Sequence, residues 1–172
     1  MDRIRRQLLF AVAWCAVAGS IAVAGSPEED FRNGLSAFNR GDYAAAIELW
    51  RPLADRNDAR SQAGIGFMYH RGLGVKTDDV QAAYWLRKAA EQGQAEGQFM
   101  LGHLYFFGLG VPKSYAAAYA WCELAQDNGH AEAQFCRDAA LESLTEEAQL
   151  REAFRMVAEL RSRFGRAQSG NP

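Results

Sequence analysis

Residues 59–75 read ARSQAGIGFMYHRGLGV, and residues 95–111 read AEGQFMLGHLYFFGLGV. The two stretches align without a gap at an offset of 36 residues. The agreement runs on downstream, pairing Ala82 with Ala118, Trp85 with Trp121, Ala89 with Ala125 and Gly93 with Gly129. A third start, Ala131-Glu132-Ala133-Gln134-Phe135, follows at the same interval. A period of this length marks stacked supersecondary units, none of which can bury its apolar face alone.

Each unit reads as two helices. Ala59, Gln62, Ile65, Gly66 and Tyr69 are spaced by three and four, as are Ala95, Gln98, Leu101, Gly102 and Tyr105, so each set shares one helical face. This first helix, A, stops at Gly72 or Gly108, because a left-handed residue ends a helix most easily without a Cβ. A second glycine (Gly74, Gly110) and a valine (Val75, Val111) complete a tight turn. Helix B is predicted from about Asp79 to Gln92 and from about Tyr115 to Asn128, closed by Gly93 and Gly129. Glycine inside a helix costs ~1 kcal/mol relative to alanine, so Gly66 and Gly102 at one phase imply close approach to Ala82 and Ala118. Trp85 and Trp121 are expected to fill the space between successive pairs. Eight of the 16 glycines fall in register in this way.

The ends diverge. Phe31–Arg40 and Tyr43–Asp55 form a degenerate pair within residues 25–58, as a capping unit does. The full units span 59–94 and 95–130. Residues 131–164 hold a divergent A helix from Ala131 to about Leu141, then a capping helix from Glu146 to about Phe164. That last helix sets Leu150, Phe154, Val157 and Leu160 on one face to cover the open end. Thr145 with Glu146 and Glu147 is its start signal, and residues 165–172 read as a flexible tail.

Residues 1–24 have a different character. Arg3, Arg5 and Arg6 precede an apolar run from Leu8 to Ala24 that ends in Ala22-Val23-Ala24 and turns polar at Ser26. This is the layout of a secretory signal peptide cleaved near Ala24, which predicts a periplasmic or secreted protein. A retained membrane anchor is the competing reading, but the run falls short of the ~20 apolar residues a span needs. No later segment is long enough for stable membrane insertion. Trp14 before Cys15 argues against a lipid anchor. Cleavage would leave 16 basic and 20 acidic residues, a net charge of −4, and two cysteines. The whole chain has 172 residues, 49 % hydrophobic and 23 % charged, with net charge −2. That suits one globular domain and excludes a strongly basic nucleic-acid-binding protein.

The pattern A-x-x-Q-x-x-L-G-x-x-Y-x-x-G-x-G-V, followed by an A-x-x-W helix and a closing glycine, resembles the Sel-one-like repeat, a relative of the tetratricopeptide repeat. Two full copies cover residues 59–130, and degenerate units extend the likeness over about 27–142. Ala118-Tyr119-Ala120-Trp121, with Arg137-Asp138 and Leu144-Thr145-Glu146, is similar to the terminal unit of bacterial members. The resemblance implies an all-α fold, a right-handed α-solenoid of antiparallel helix pairs with a C-terminal capping helix. It also implies a protein-binding adaptor or regulator, often periplasmic, with protein partners, no catalytic residue set and no cofactor.

A solenoid presents an extended surface lined by its A helices. On a helical wheel the face opposite the repeated residues carries Phe67 and Arg71, and in the copy Met100, His103 and Phe107, flanked by His70 and Phe106. Aromatics clustered with arginine suit a protein-binding hot spot, so these seven residues are the candidate partner-binding set. Phe106 and Phe107 have a second reading, as packing against the next A helix near Phe135. His70 and His103 form a candidate pH-sensitive or metal-binding pair, but no carboxylate or cysteine joins them at metal spacing and no metal site is assigned. Cys122 and Cys136 sit on two arms of a hairpin, which favours a disulfide in an oxidising compartment. The wheel instead puts Cys136 at an outward phase and Cys122 at the phase of Leu86, which favours two separate thiols. The G-x-G turns lack the third glycine and the strand of a dinucleotide site, and no nucleophile or phosphate motif occurs. The residues therefore point to a non-enzymatic interaction module of the cell envelope. A binder or hydrolase of cell-wall fragments and a self-associating unit are the alternatives.

Overall fold

The computed structural model describes residues 25–164; the signal-peptide and tail assignments fall on 1–24 and 165–172, outside the described residues. The helices are α1 (Pro27–Asn39), α2 (Tyr43–Asp55), α3 (Ala59–Arg71), α4 (Asp79–Ala90), α5 (Ala95–Phe107), α6 (Tyr115–Asp127), α7 (Ala133–Glu142) and α8 (Glu147–Phe164). Each packs on its chain neighbour from α1 to α7, and α3, α5 and α7 also touch in succession. The odd helices therefore form one layer of an all-α solenoid and the even helices the other.

The 36-residue register extends to details that set helix ends. Asp42, Asp78 and Ser114 each cap a B helix, accepting from the amides of Ala45, Gln81 and Ala117 at 3.2, 2.9 and 3.2 Å. Such a cap contributes about 1 kcal/mol. Gly72 and Gly108 end α3 and α5 with φ of +66° and +74°, the left-handed stop that their positions demand.

Close approach explains the interior glycines. A Cβ on Gly66 would lie 2.6 Å from Leu86 Cγ and 3.2 Å from the Ala82 carbonyl oxygen. One on Gly102 would strike Cys122 Sγ and lie 3.3 Å from the Ala118 carbonyl oxygen. The expected alanines are there, and the side chain one turn further along helix B is the tighter neighbour.

Three linkages join one unit to the next, each repeated. Gln62 donates to the Ala54 carbonyl (2.9 Å) and Gln98 to the Ala90 carbonyl (3.0 Å), both wholly buried. Each supplies a second bond to a carbonyl at the end of the preceding B helix, which also accepts from the amide of Asn57 or Gly93 in the following turn at 3.0 Å. Gln92 and Asn128 in turn donate to those amide oxygens at 2.7 and 2.8 Å. Arg51 donates to the Tyr69 hydroxyl (3.0 Å) and Arg87 to that of Tyr105 (2.6 Å). The third linkage joins phases 50/86/122 of the B helices to 64/100/136 of the next A helix. There Trp50 covers Gly64, Leu86 and Met100 share one buried cluster, and Cys122 is bonded to Cys136.

The cysteine Cα atoms are 5.9 Å apart, within bridging range. The separate-thiol reading is corrected by this packing: Cys136 lies half-buried at the edge of α7, where it still reaches Cys122 on the preceding B helix. Trp85 reaches back into a cluster with Trp50, Leu53, Ile65 and Met68, while Trp121 stacks on Phe164 of α8 with ring centroids 6.2 Å apart.

Helix α8 docks along α6 and hardly touches α7. Arg161 pairs with Glu123 and Asp127 at 2.9 and 2.7 Å. The small Ala116 and Ala120 on α6 are buried here, and the sealed stripe of α8 is Ala153, Val157 and Leu160. Phe154, expected in that stripe, is exposed and meets Tyr119 edge-on at 5.7 Å. It follows Ala153, which is wholly buried, and so lies one helical step (~100°) off the buried line.

Candidate functional site

Three phases of the repeat project from the A helices on the side away from the B layer. They are Arg60/Glu96/Glu132, Ala63/Phe99/Phe135 and Phe67/His103/Ala139, an i, i+3, i+7 stripe in each helix. Between successive A helices the stripe forms two apolar grooves. The first, about 450 Å³, lies between α1 and α3, with Phe31, Leu35 and Phe38 on one wall and Ala63 and Phe67 on the other. Trp50 floors it, donating to the Phe31 carbonyl at 3.2 Å. The Arg60 guanidinium lies 4.2 Å from the centroid of the Phe31 ring and is held by Glu28 at 2.9 Å.

The second groove, about 380 Å³, lies between α5 and α7. Phe99, His103, Phe106 and Phe107 form one wall, and Phe135, Cys136 and Ala139 the other, with Glu132 at the rim. Seven of the chain's ten phenylalanines line these two grooves. Phe135 is 76 % exposed and Phe107 56 % exposed, although burial of such rings is favourable. Phe106 is half-buried against Tyr115, with ring centroids 5.2 Å apart. Phe106 thus packs on Tyr115 of its own unit, and Phe107 is exposed.

All three histidines surround the second groove. His103 lines it, edge-on to His70 at 5.9 Å between ring centroids and 4.7 Å from Phe107. His70 Nδ1 is 2.7 Å from Asp79 Oδ1. His130 stacks on Phe99 at 4.2 Å and pairs with Glu96 at 3.1 Å. Among the described residues no three His, Cys, Asp or Glu side chains converge as metal ligands.

Burial, and then the neighbouring His70 charge, push the His103 imidazole below its ordinary range; Asp79 partly opposes this. The fold thus favours neutral His103. As pH falls through the ordinary value near 6.5, the unfolded chain takes up a proton that the folded chain resists, so stability declines. His103→Asn should flatten the dependence of the urea midpoint on pH between pH 7 and 5 relative to the parent protein.

Of the residues singled out from the sequence, Phe67, His103, Phe106 and Phe107 line the grooves, His70 abuts the second, and Arg71 is exposed near the end of α3. Met100 is corrected: it is only 7 % exposed and belongs to the buried cluster that holds Leu86 of the preceding B helix. Phe31, Leu35, Phe38 and Phe99 were missed. The signal was available, since Phe31 lies 36 residues before Phe67, and Phe99 lies 36 before Phe135.

The Sel1 repeat family matches residues 32–58, 59–94 and 95–130. The chain belongs to the Sel1 repeat family. Its fold is similar to that of a protective antigen of uropathogenic Escherichia coli strains displaying an SLR fold, at 30 % identity and TM-score 0.78, over 88 % of this chain and 34 % of that one. It is also similar to a Sel1 repeat protein from Oxalobacter formigenes, at 29 % identity and TM-score 0.62, over 76 % of this chain and 55 % of that one. The chain therefore spans about a third and about half of these two Sel1 structures. No curated protein sequence matches it. Sel1 repeat proteins generally mediate protein–protein interaction and are typically non-enzymatic scaffolds. No helix among the described residues is long and apolar enough to cross a membrane.

Proposed function

We propose that this Sel1 repeat chain is an exported adaptor of the cell envelope that captures a protein segment along its A-helix face. The observation that carries this reading is the sorting of seven phenylalanines into two grooves on one face of a rigid stack. Exposed aromatics at fixed positions give a partner large contact area at low ordering cost. The grooves have few polar groups, Arg60, Gln94 and Glu96 in one and His103 and Glu132 in the other, which suits apolar anchors from a polypeptide. Export rests on the arginines, apolar run and Ala22-Val23-Ala24 of the N-terminal segment.

Panning a random peptide library on the parent protein, with a Phe107→Asp/Phe135→Asp variant as counter-target, tests the reading. Peptides carrying bulky apolar anchors should be enriched on the parent protein and not on the variant. Equal enrichment on both would contradict it. Both side chains are exposed, so the variant should retain the parent's unfolding midpoint.

A further inference from the structure

The last junction of the stack differs chemically from the two before it. Where the first junction has Trp50 over Gly64, and the second has Leu86 and Met100 in one buried cluster, the third has a covalent bond between Cys122 and Cys136. Apart from Arg137, which donates to Gln126 of α6 at 2.7 Å and lies 3.8 Å from Glu123, the helix this bond holds has few anchors. Only Ala133 and Ala140 of α7 are buried, against six residues each in α3 and α5, and α7 has no side-chain N-cap. Helix α8 leans on α6, so it does not clamp α7 from outside. Yet α7 supplies one whole wall of the second groove, through Phe135, Cys136 and Ala139.

We infer that the Cys122–Cys136 disulfide is a thiol-sensitive latch that keeps the second groove formed. The inference rests on reading that groove as the binding site and concerns its regulation. The two sulfurs are unequal. Cys122 is wholly buried against Gly102, whereas Cys136 lines the groove. A dithiol entering the groove therefore attacks Cys136. Its thiolate forms a mixed disulfide with Cys136 Sγ, the Sγ–Sγ bond breaks, and Cys122 leaves as a thiolate that takes up a proton. The second thiol of the reductant attacks the mixed disulfide, releases Cys136, and leaves the reductant as a disulfide. The protein gains two electrons and two protons. With only two alanines buried, α7 then opens locally while the units before it stay stacked.

Hydrogen exchange on the full chain in a Cys15→Ser background tests this without any ligand. On treatment with dithiothreitol, amides in 133–142 should exchange at least tenfold faster, with those of α3 and α5 unchanged. Monothiol trapping should place the adduct on Cys136. A Cys122→Leu/Cys136→Met variant, which installs the Leu86/Met100 pair, should keep α7 protected and ignore dithiothreitol. Unchanged exchange in 133–142 after verified reduction would overturn the inference. So would acceleration of all helices together, since the bond would then brace the whole fold. Because no partner is present, either result stands apart from the peptide panning that tests the binding reading.

Discussion

Trp50→Ala should cost about 3–5 kcal/mol, a large share of the about 5–15 kcal/mol that holds a domain folded. The indole is buried, stacks near Phe31 and Phe38 at 5.9 and 5.8 Å, and fills the space over Gly34 and Gly64. Two glycines were needed to seat it, so no neighbour can collapse into the void. In a stack of nearest-neighbour units the loss falls on one junction. Exchange in α1 and α2 should therefore accelerate well before exchange in α6 and α8, and urea denaturation should show a lowered midpoint. Phe107→Ala, at an exposed ring, should move that midpoint by only about 0.5 kcal/mol. The two results together separate the floor of one groove from the wall of the other.

Gly66 gives the second large effect, and there two principles predict opposite signs. Helix propensity alone makes Gly66→Ala stabilising by about 1 kcal/mol. The packing makes it destabilising, because the new methyl would sit 2.6 Å from Leu86 Cγ in a wholly buried contact. Overpacking a filled core costs about 1–3 kcal/mol, so the alanine variant should be less stable than the parent and Gly66→Val less stable again. A urea midpoint that rises with Gly66→Ala would contradict the close-approach explanation of the repeat.

Much of this fold was legible because the constraints recur. Gly66 and Gly102, and Gly72 and Gly108, each state one geometric need twice, and the structure meets it at both positions; Trp85 and Trp121 are both buried, but the second packs on Phe164 of the capping helix. Single-copy features were harder to read. Phe154 shares a helical face with Val157, but α8 approaches α6 through Ala153, which rotates Phe154 into solvent. On part of the A helices the groove-lining face lies about one residue from the face that a helical wheel selects. A wheel places phases 64/100/136 outward because it knows only one helix, whereas an A helix is flanked by two B helices. The second of these, from the preceding unit, sets Trp50 over Gly64 and bonds Cys122 to Cys136, and Met100 between them is buried. The adjacent phase, Ala63, Phe99 and Phe135, lines the grooves and passes from buried at Ala63 through half-buried at Phe99 to exposed at Phe135. The same displacement left the disulfide undecided, since a bridge needs Cys136 to face α6.

The central claim is that the A-helix grooves, and not another surface, hold the partner. Its most direct test is the calorimetric affinity of a library-selected peptide for the parent protein and for Phe107→Asp. The claim predicts binding at least tenfold weaker in the variant, with an unchanged unfolding midpoint. Equal affinity for the two proteins would place the binding surface elsewhere and contradict it.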